Sequence, residues 1–331
     1  MNYRVLTVTA TLVFVLGCGA SQRLLAGDYA SQPAGVAVVD AAVAEGVDRE
    51  WAESVIAAAS RQQSILDAMS RPAEKTKPWH EYRDIFMTQK RIDAGVEFAA
   101  QHADVLSTVA ADTGVPVEII TAIIGVETYY GRIAGSYRVV DALATLAFDY
   151  PKRSEFFTSE LENFLVLAWE SGKDPLQLKG SYAGAMGFGQ FMPSSYRAYA
   201  VDYDGDEVID IWENPSDAIA SVANYFIEHG WRAGRKVVVP ASGDKASPEV
   251  FGGGLKPRFT VSELIEMGFE PLGEVFVDDA ATAMKLEGKN GPEYWMGLHN
   301  FYVITRYNHS SMYALSVWQL SEAIAEAMRS Q

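Results

Sequence analysis

Residues 122–132 read AIIGVETYYGR and residues 180–196 read GSYAGAMGFGQFMPSSY. In the first stretch one carboxylate, Glu127, sits in an otherwise apolar helical pattern. Helical spacing puts Ile120, Ile123, Ile124 and Tyr130 at i−7, i−4, i−3 and i+3, on the face of Glu127. A carboxylate on an apolar stripe is costly unless it is neutral or paired. Burial raises a carboxyl pKa, which is the preparation a general acid requires near neutral pH. A structural glutamate held by Arg132 or another base at the end of this helix satisfies the same periodicity. The second stretch holds four glycines in ten residues, with interleaved aromatics. Glycine lets backbone approach a ligand closely or adopt positive φ, and Ser181 and Gln190 offer a hydroxyl and an amide beside it. A glycine-rich structural loop is the alternative reading of this segment.

Working outward, Pro116 suits the first turn of a helix over 117–130, and Gly131 suits its end. Helical spacing also covers 48–70, 89–112, 155–171, 216–229 and 311–329. Three short runs are strand-like: KVVVP at 236–240, AMKLE at 283–287 and FYVIT at 301–305. The pattern predicts an α+β, mostly helical fold carrying a small sheet late in the chain. There is no alternating βαβ order, hence no doubly wound sheet. No repeat at a 20–50 residue period is visible, which argues against a solenoid.

The chain has 331 residues, 49% of them hydrophobic, with 43 acidic against 27 basic side chains and a net charge of −16. This balance opposes nucleic-acid binding, which needs a basic stripe, and opposes charge-driven adsorption to anionic lipid. Residues 5–17, VLTVTATLVFVLG, follow Arg4 and precede the single cysteine, Cys18. This apolar run matches a signal-peptide core and falls short of the ~20 residues that span a bilayer. A small residue before Cys18 resembles a bacterial lipobox, in which the cysteine is lipidated. The expected organisation is a signal peptide over 1–17, a lipidated tether over 18–35 and a helical region over 36–115. A catalytic core over 116–231, a small β-containing lobe over 232–300 and a returning strand and helix over 301–331 complete it.

ETYYGR at 127–132, the glycine-rich stretch at 180–196 and NFYVITRYNHS at 300–310 together resemble the membrane-bound lytic murein transglycosylase B family. The similarity runs from Pro78 to Leu320, more weakly over 45–77, and includes SDAIASVANYFIEHGW at 216–231. The resemblance implies a lysozyme-like catalytic core that cleaves the MurNAc–GlcNAc bond of peptidoglycan and forms a 1,6-anhydro sugar. It places the catalytic glutamate on Glu127 and substrate contacts on Ser181, Gln190, Tyr307 and Asn308. Tyr82, Tyr225 and Tyr313 match tyrosines of the family's cleft, and Lys152 and Arg153 match a basic pair facing the peptide stems. Alternatives are a muramidase-type hydrolase on the same fold, or a non-catalytic wall-binding lipoprotein. The implied setting is periplasmic: a monomer anchored to the outer membrane through Cys18, with glycan strands as its partner.

DYDGDEVIDIWE at 202–213 has EF-hand spacing. Asp202, Asp204 and Asp206 take loop positions 1, 3 and 5, Val208 the backbone position 7, Asp210 position 9 and Glu213 position 12. Glu207 stands where the sharp turn wants glycine. The family resemblance implies a structural calcium ion here and places its last carboxylate on Asp217, so Glu213 and Asp217 compete. No cofactor is expected for catalysis. The five histidines show no paired ligand spacing, and no P-loop or dinucleotide fingerprint is present.

Overall fold

The computed structural model describes residues 29, 31–70 and 77–330. The expected signal peptide and Cys18 lie outside the described residues. The N-terminal helices are α1 (Pro33–Ala44), α2 (Arg49–Ala58), α3 (Gln63–Ser70), α4 (Trp79–Phe86), α5 (Gln89–Gln101), α6 (Ala103–Thr113) and α7 (Val117–Thr128). Then come β1 (Tyr137–Arg138), α8 (Val139–Asp149), α9 (Ser154–Glu170), β2 (Lys179–Gly180), α10 (Pro193–Tyr199) and α11 (Pro215–Glu228). The late lobe holds β3 (Val238–Ser242), β4 (Phe259–Thr260), α12 (Val261–Glu266), β5 (Glu270–Pro271), β6 (Ala280–Gly288) and β7 (Gly291–Gly297). Helices α13 (His299–Tyr307) and α14 (Ser311–Arg329) return to the helical body.

The small sheet is antiparallel, in the order β4-β6-β7-β3-β5. The run FYVIT, expected as a strand, lies inside α13. Periodicity cannot separate a short buried helix segment from a buried strand, and Phe301, Val303 and Ile304 are buried whichever way the backbone runs. The continuous helix expected over 48–70 breaks between α2 and α3. There the Ser60 N–H donates to Asp141 Oδ1 at 2.8 Å and the Gln62 N–H to Thr145 Oγ1 at 2.9 Å, so side chains of α8 capture donors a helix would have used. The 89–112 helix likewise divides at His102. The tether expected over 18–35 is shorter: Pro33 opens α1, and buried Tyr29 donates to Asp149 Oδ2 at 2.5 Å.

Hydrophobic packing does not follow the linear order. One core joins α4–α7 with α11, α13 and α14. A second joins α1–α3 with α8, α9 and the glycine-rich segment, and a third fills the small lobe. Full burial of Val139, Val140, Leu143 and Leu146 anchors α8 in the second core, each contributing about 1.5–3 kcal/mol. Tyr307 packs against both the first and the second core. The seam between these two cores is where Glu127 and the glycine-rich loop meet.

Candidate active site

Helix α7 ends one residue after Glu127, and its termination builds the site. Tyr129, Tyr130 and Gly131 take φ of 52°, 60° and 82°, a left-handed run that turns the chain sharply away. Such φ costs a non-glycine residue about 1–2 kcal/mol, so neighbours must hold it. The Tyr130 hydroxyl donates to Arg91 O at 2.9 Å, and its ring lies where a Cβ on Gly125 would stand, 2.6 Å away. The Arg91 guanidinium donates to Gly125 O and covers the Tyr129 ring at 4.7 Å. Burial lowers the Arg91 pKa. Tyr130 therefore leaves the face of Glu127, against the helical expectation. Arg132 pairs with Glu97 at 3.2 Å.

Thr128, which the sequence reading passed over, welds this turn to the second core. Its hydroxyl donates to Phe188 O at 2.9 Å and accepts from the Gly131 N–H at 2.9 Å. The only signal for it was its place beside Glu127. Phe188 in turn occupies the space a Cβ on Gly131 would need, 2.2 Å from the ring.

The glycine-rich stretch is a tight hairpin. Met186 and Phe191 exchange backbone hydrogen bonds at 2.8 and 2.9 Å across residues 187–190. Gln190 sits at φ 52°, and its amide Nε2 donates to Ala134 O and Gly187 O, both at 3.1 Å. Both donors are thus committed within the fold, leaving Oε1 as an acceptor. Ser181 Oγ accepts from the Ala183 and Ala185 N–H groups at 3.2 and 3.1 Å, and keeps its hydroxyl hydrogen for donation. Gly135 is required because a Cβ there would stand 2.0 Å from Gly180 O.

The half-buried Glu127 carboxylate accepts a 2.5 Å hydrogen bond at Oε1 from the hydroxyl of Tyr313, at the start of α14. Burial, then the charge of Glu127, holds the Tyr313 and Tyr307 hydroxyls well above their ordinary pKa. Both remain protonated donors. Tyr307 donates to Gly189 O at 2.6 Å, tying α13 to the hairpin. Tyr82, buried on α4, contributes to the electrostatic surroundings of Tyr313. Tyr225 is a supporting residue: its hydroxyl donates to Arg306 O at 2.6 Å, and its ring stacks on His229 at 4.0 Å and meets Tyr307 at 4.7 Å. Asn308 caps α13, and its half-buried side chain makes no hydrogen bond among the described residues. Lys152 and Arg153 are exposed, in the short turn between α8 and α9. Arg153 lies over Phe156 at 4.2 Å.

Three acids stood near Glu127 in the chain. Asp141 is buried and held by Arg138 at 2.7 Å. Glu118 opens α7, nine residues or about 13 Å away along the helix axis, and Glu155 is exposed on α9.

In the acidic loop, the carboxylates of Asp202, Asp204 and Asp217 offer oxygens within 4.8 Å of one another. Asp217 is fully buried; burial raises its pKa, and Asp204 and Asp202 raise it further. Such a cluster fits a hard cation with oxygen ligands. Asp206 instead caps the Val208 N–H at 2.8 Å, Asp210 pairs with Lys173 at 3.0 Å, and Glu213 is exposed outside the cluster. Glu207 meets the turn requirement by itself, at φ 70° beside Gly205 at 76°.

A lysozyme-like, mostly helical body with a half-buried glutamate at the seam of two cores is the architecture of glycan-cleaving transglycosylases. The profile of the family described as "Transglycosylase SLT domain" matches residues 31–322, and the chain belongs to that family. It is 45% identical over 313 residues to membrane-bound lytic murein transglycosylase B of Escherichia coli strain K12, covering 92% of this chain and 86% of that protein. The catenated lytic transglycosylase SltB1 of Pseudomonas aeruginosa superposes with a TM-score of 0.87 at 50% identity, over 91% of this chain and all 100% of that one. The Escherichia coli lytic transglycosylase Slt35 in complex with calcium gives 0.83 at 45% identity, over 92% and 96% of the two chains.

Proposed function

We propose that this chain is a peptidoglycan lytic transglycosylase that cleaves the β-1,4 bond between MurNAc and GlcNAc, with Glu127 as its single acid and base. The observation that carries the reading is the Glu127 carboxyl held by Tyr313, on a turn that Thr128 ties to Phe188 of the glycine-rich hairpin. Protonated Glu127 gives its proton to the glycosidic oxygen as the C1–O bond breaks and the MurNAc ring gains oxocarbenium character. The carboxylate left behind, stabilised by the Tyr313 hydroxyl, takes the proton of the C6 hydroxyl while that oxygen closes on C1. No water is consumed, and the product is 1,6-anhydro-MurNAc. Two-carboxylate glycosidases place their partner acids about 5–9.5 Å apart; Asp141 is held by Arg138, and Glu118 lies in the first turn of α7, nine residues before Glu127. Gln190 Oε1 suits the N–H of an N-acetyl group, while the Ser181 hydroxyl and the Asn308 amide suit sugar oxygens.

Asp202, Asp204 and Asp217 would hold a calcium ion whose role is structural: it neutralises the acid cluster around the buried Asp217 and fixes the loop packed beneath the hairpin. Phe188 links the two, donating its N–H to Ile211 O at 2.9 Å. The setting is periplasmic, with attachment to the outer membrane through lipid on Cys18. No single helix among the described residues is long and apolar enough to cross a membrane. Glu127→Gln keeps the shape and removes the proton. Purified peptidoglycan should then be cleaved at least ~100-fold more slowly, in line with general-acid loss. A variant that keeps a tenth of the wild-type rate would remove Glu127 from the role.

A further inference from the structure

We propose that the depression between Trp51 and Trp169, outside the cleft, is a second glycan-binding platform; this rests on the reading of peptidoglycan as substrate. Trp169, on the last turn of α9, is 41% exposed, although large aromatic side chains normally bury. It meets Trp51 of α2 edge-on, with ring centroids 5.3 Å apart. Neither indole N–H makes a hydrogen bond among the described residues, which leaves both donors available beside the apolar ring surface. The depression between them has a volume of about 360 Å³ and is edged by Gly172, Lys173, Asp174 and Pro175, at the lower end of the range of small-ligand clefts.

The chemistry selects a sugar over a lipid or a purely apolar peptide. Ring faces receive the C–H surface of a pyranose, and the indole N–H groups and the exposed Asp174 carboxylate suit its hydroxyls. The platform also connects to the cleft wall. Lys173 lies 5.7 Å from the Trp212 ring, and Trp212 Nε1 donates to Lys179 O at 3.1 Å. Lys179 opens β2, which runs directly into Ser181. A strand gripped at Trp169 would keep the enzyme on a polymer between cleavage events without taking part in the chemistry.

The test compares Trp169→Ala and Trp169→Phe in the full chain, each confirmed folded by thermal melting. Co-sedimentation with insoluble sacculi is measured in the Glu127→Gln background, and turnover of a soluble tetrasaccharide fragment in the active background. Trp169→Ala should weaken sacculus binding about fivefold, the effect of losing ~1 kcal/mol of contact, with Trp169→Phe intermediate. Tetrasaccharide turnover should stay within about twofold of wild type. Unchanged sedimentation overturns the platform, as does an equal loss in both assays, which would make Trp169 a structural residue. If wild type leaves the tetrasaccharide intact while Trp169→Ala still weakens sedimentation, the platform stands and the proposed activity fails.

Discussion

Replacing Tyr313 with Phe removes one hydroxyl and leaves the ring packed in the first core. In the wild type that hydroxyl donates to Glu127 Oε1 at 2.5 Å across 186 residues of sequence. It stays protonated through neutral and alkaline pH, because burial and then the charge of Glu127 push its ionisation well up. A hydrogen bond to a charged group contributes about 1.5–3 kcal/mol net. In the proposed mechanism the reacting enzyme holds Glu127 protonated and its charge develops as it protonates the leaving oxygen, so most of this contribution arises in the transition state. Tyr313→Phe should therefore lower kcat by about 10- to 150-fold. The sign of the pH effect follows from the same bond. A donor favours the ionised carboxyl, so without it the proton is held more tightly, and the falling limb of kcat/KM moves to higher pH. Initial rates of muropeptide release across pH, with melting curves as a control for folding, measure both effects. A rate within twofold of wild type and an unmoved limb would refute the role given to Tyr313.

Gly135→Ala and Gly46→Ala both place alanine at φ +98°, but only at Gly135 would the Cβ strike backbone, 2.0 Å from Gly180 O. Gly46→Ala should cost about 1–2 kcal/mol from φ alone, and Gly135→Ala clearly more, read as the difference in melting temperature. Calcium should raise the melting point, adding about 2.7 kcal/mol at a hundredfold excess over Kd. Asp217→Asn should abolish most of that gain and Asp206→Ala little of it; a reversed order in calorimetry would return the site to EF-hand ligands. Cys18→Ser should release the protein from the membrane fraction and end fatty-acid labelling, and equal labelling of both forms would exclude lipid on Cys18.

Much of this fold is legible where one face of an element is apolar: α7, α9, α11 and α14 follow their periodicity nearly to the residue. Helix α8 is different. From Val139 to Ala147 every residue is buried, so no polar face marks a helical period. The break at residues 59–62 depends on Asp141 and Thr145, about 80 residues later, and no local signal announces it. The site divides in the same way. Glu127 and the hairpin declare themselves through an isolated charge and clustered glycines. The grip of Tyr313 on Glu127, the committed amide of Gln190 and the weld made by Thr128 are tertiary facts. The acidic loop shows the limit of spacing as a guide: Asp206 and Glu213 fit the template, yet the carboxylates the fold gathers are Asp202, Asp204 and the buried Asp217 of α11.

The proposed reaction needs one carboxyl to serve first as acid and then as base, with the C6 hydroxyl in place of water. Mass spectrometry of muropeptides released from purified sacculi in heavy-oxygen water tests this directly. New MurNAc ends should carry the 1,6-anhydro ring and no solvent oxygen. Reducing MurNAc ends bearing the heavy isotope would contradict it, and would make the chain a hydrolase with an unrecognised second base.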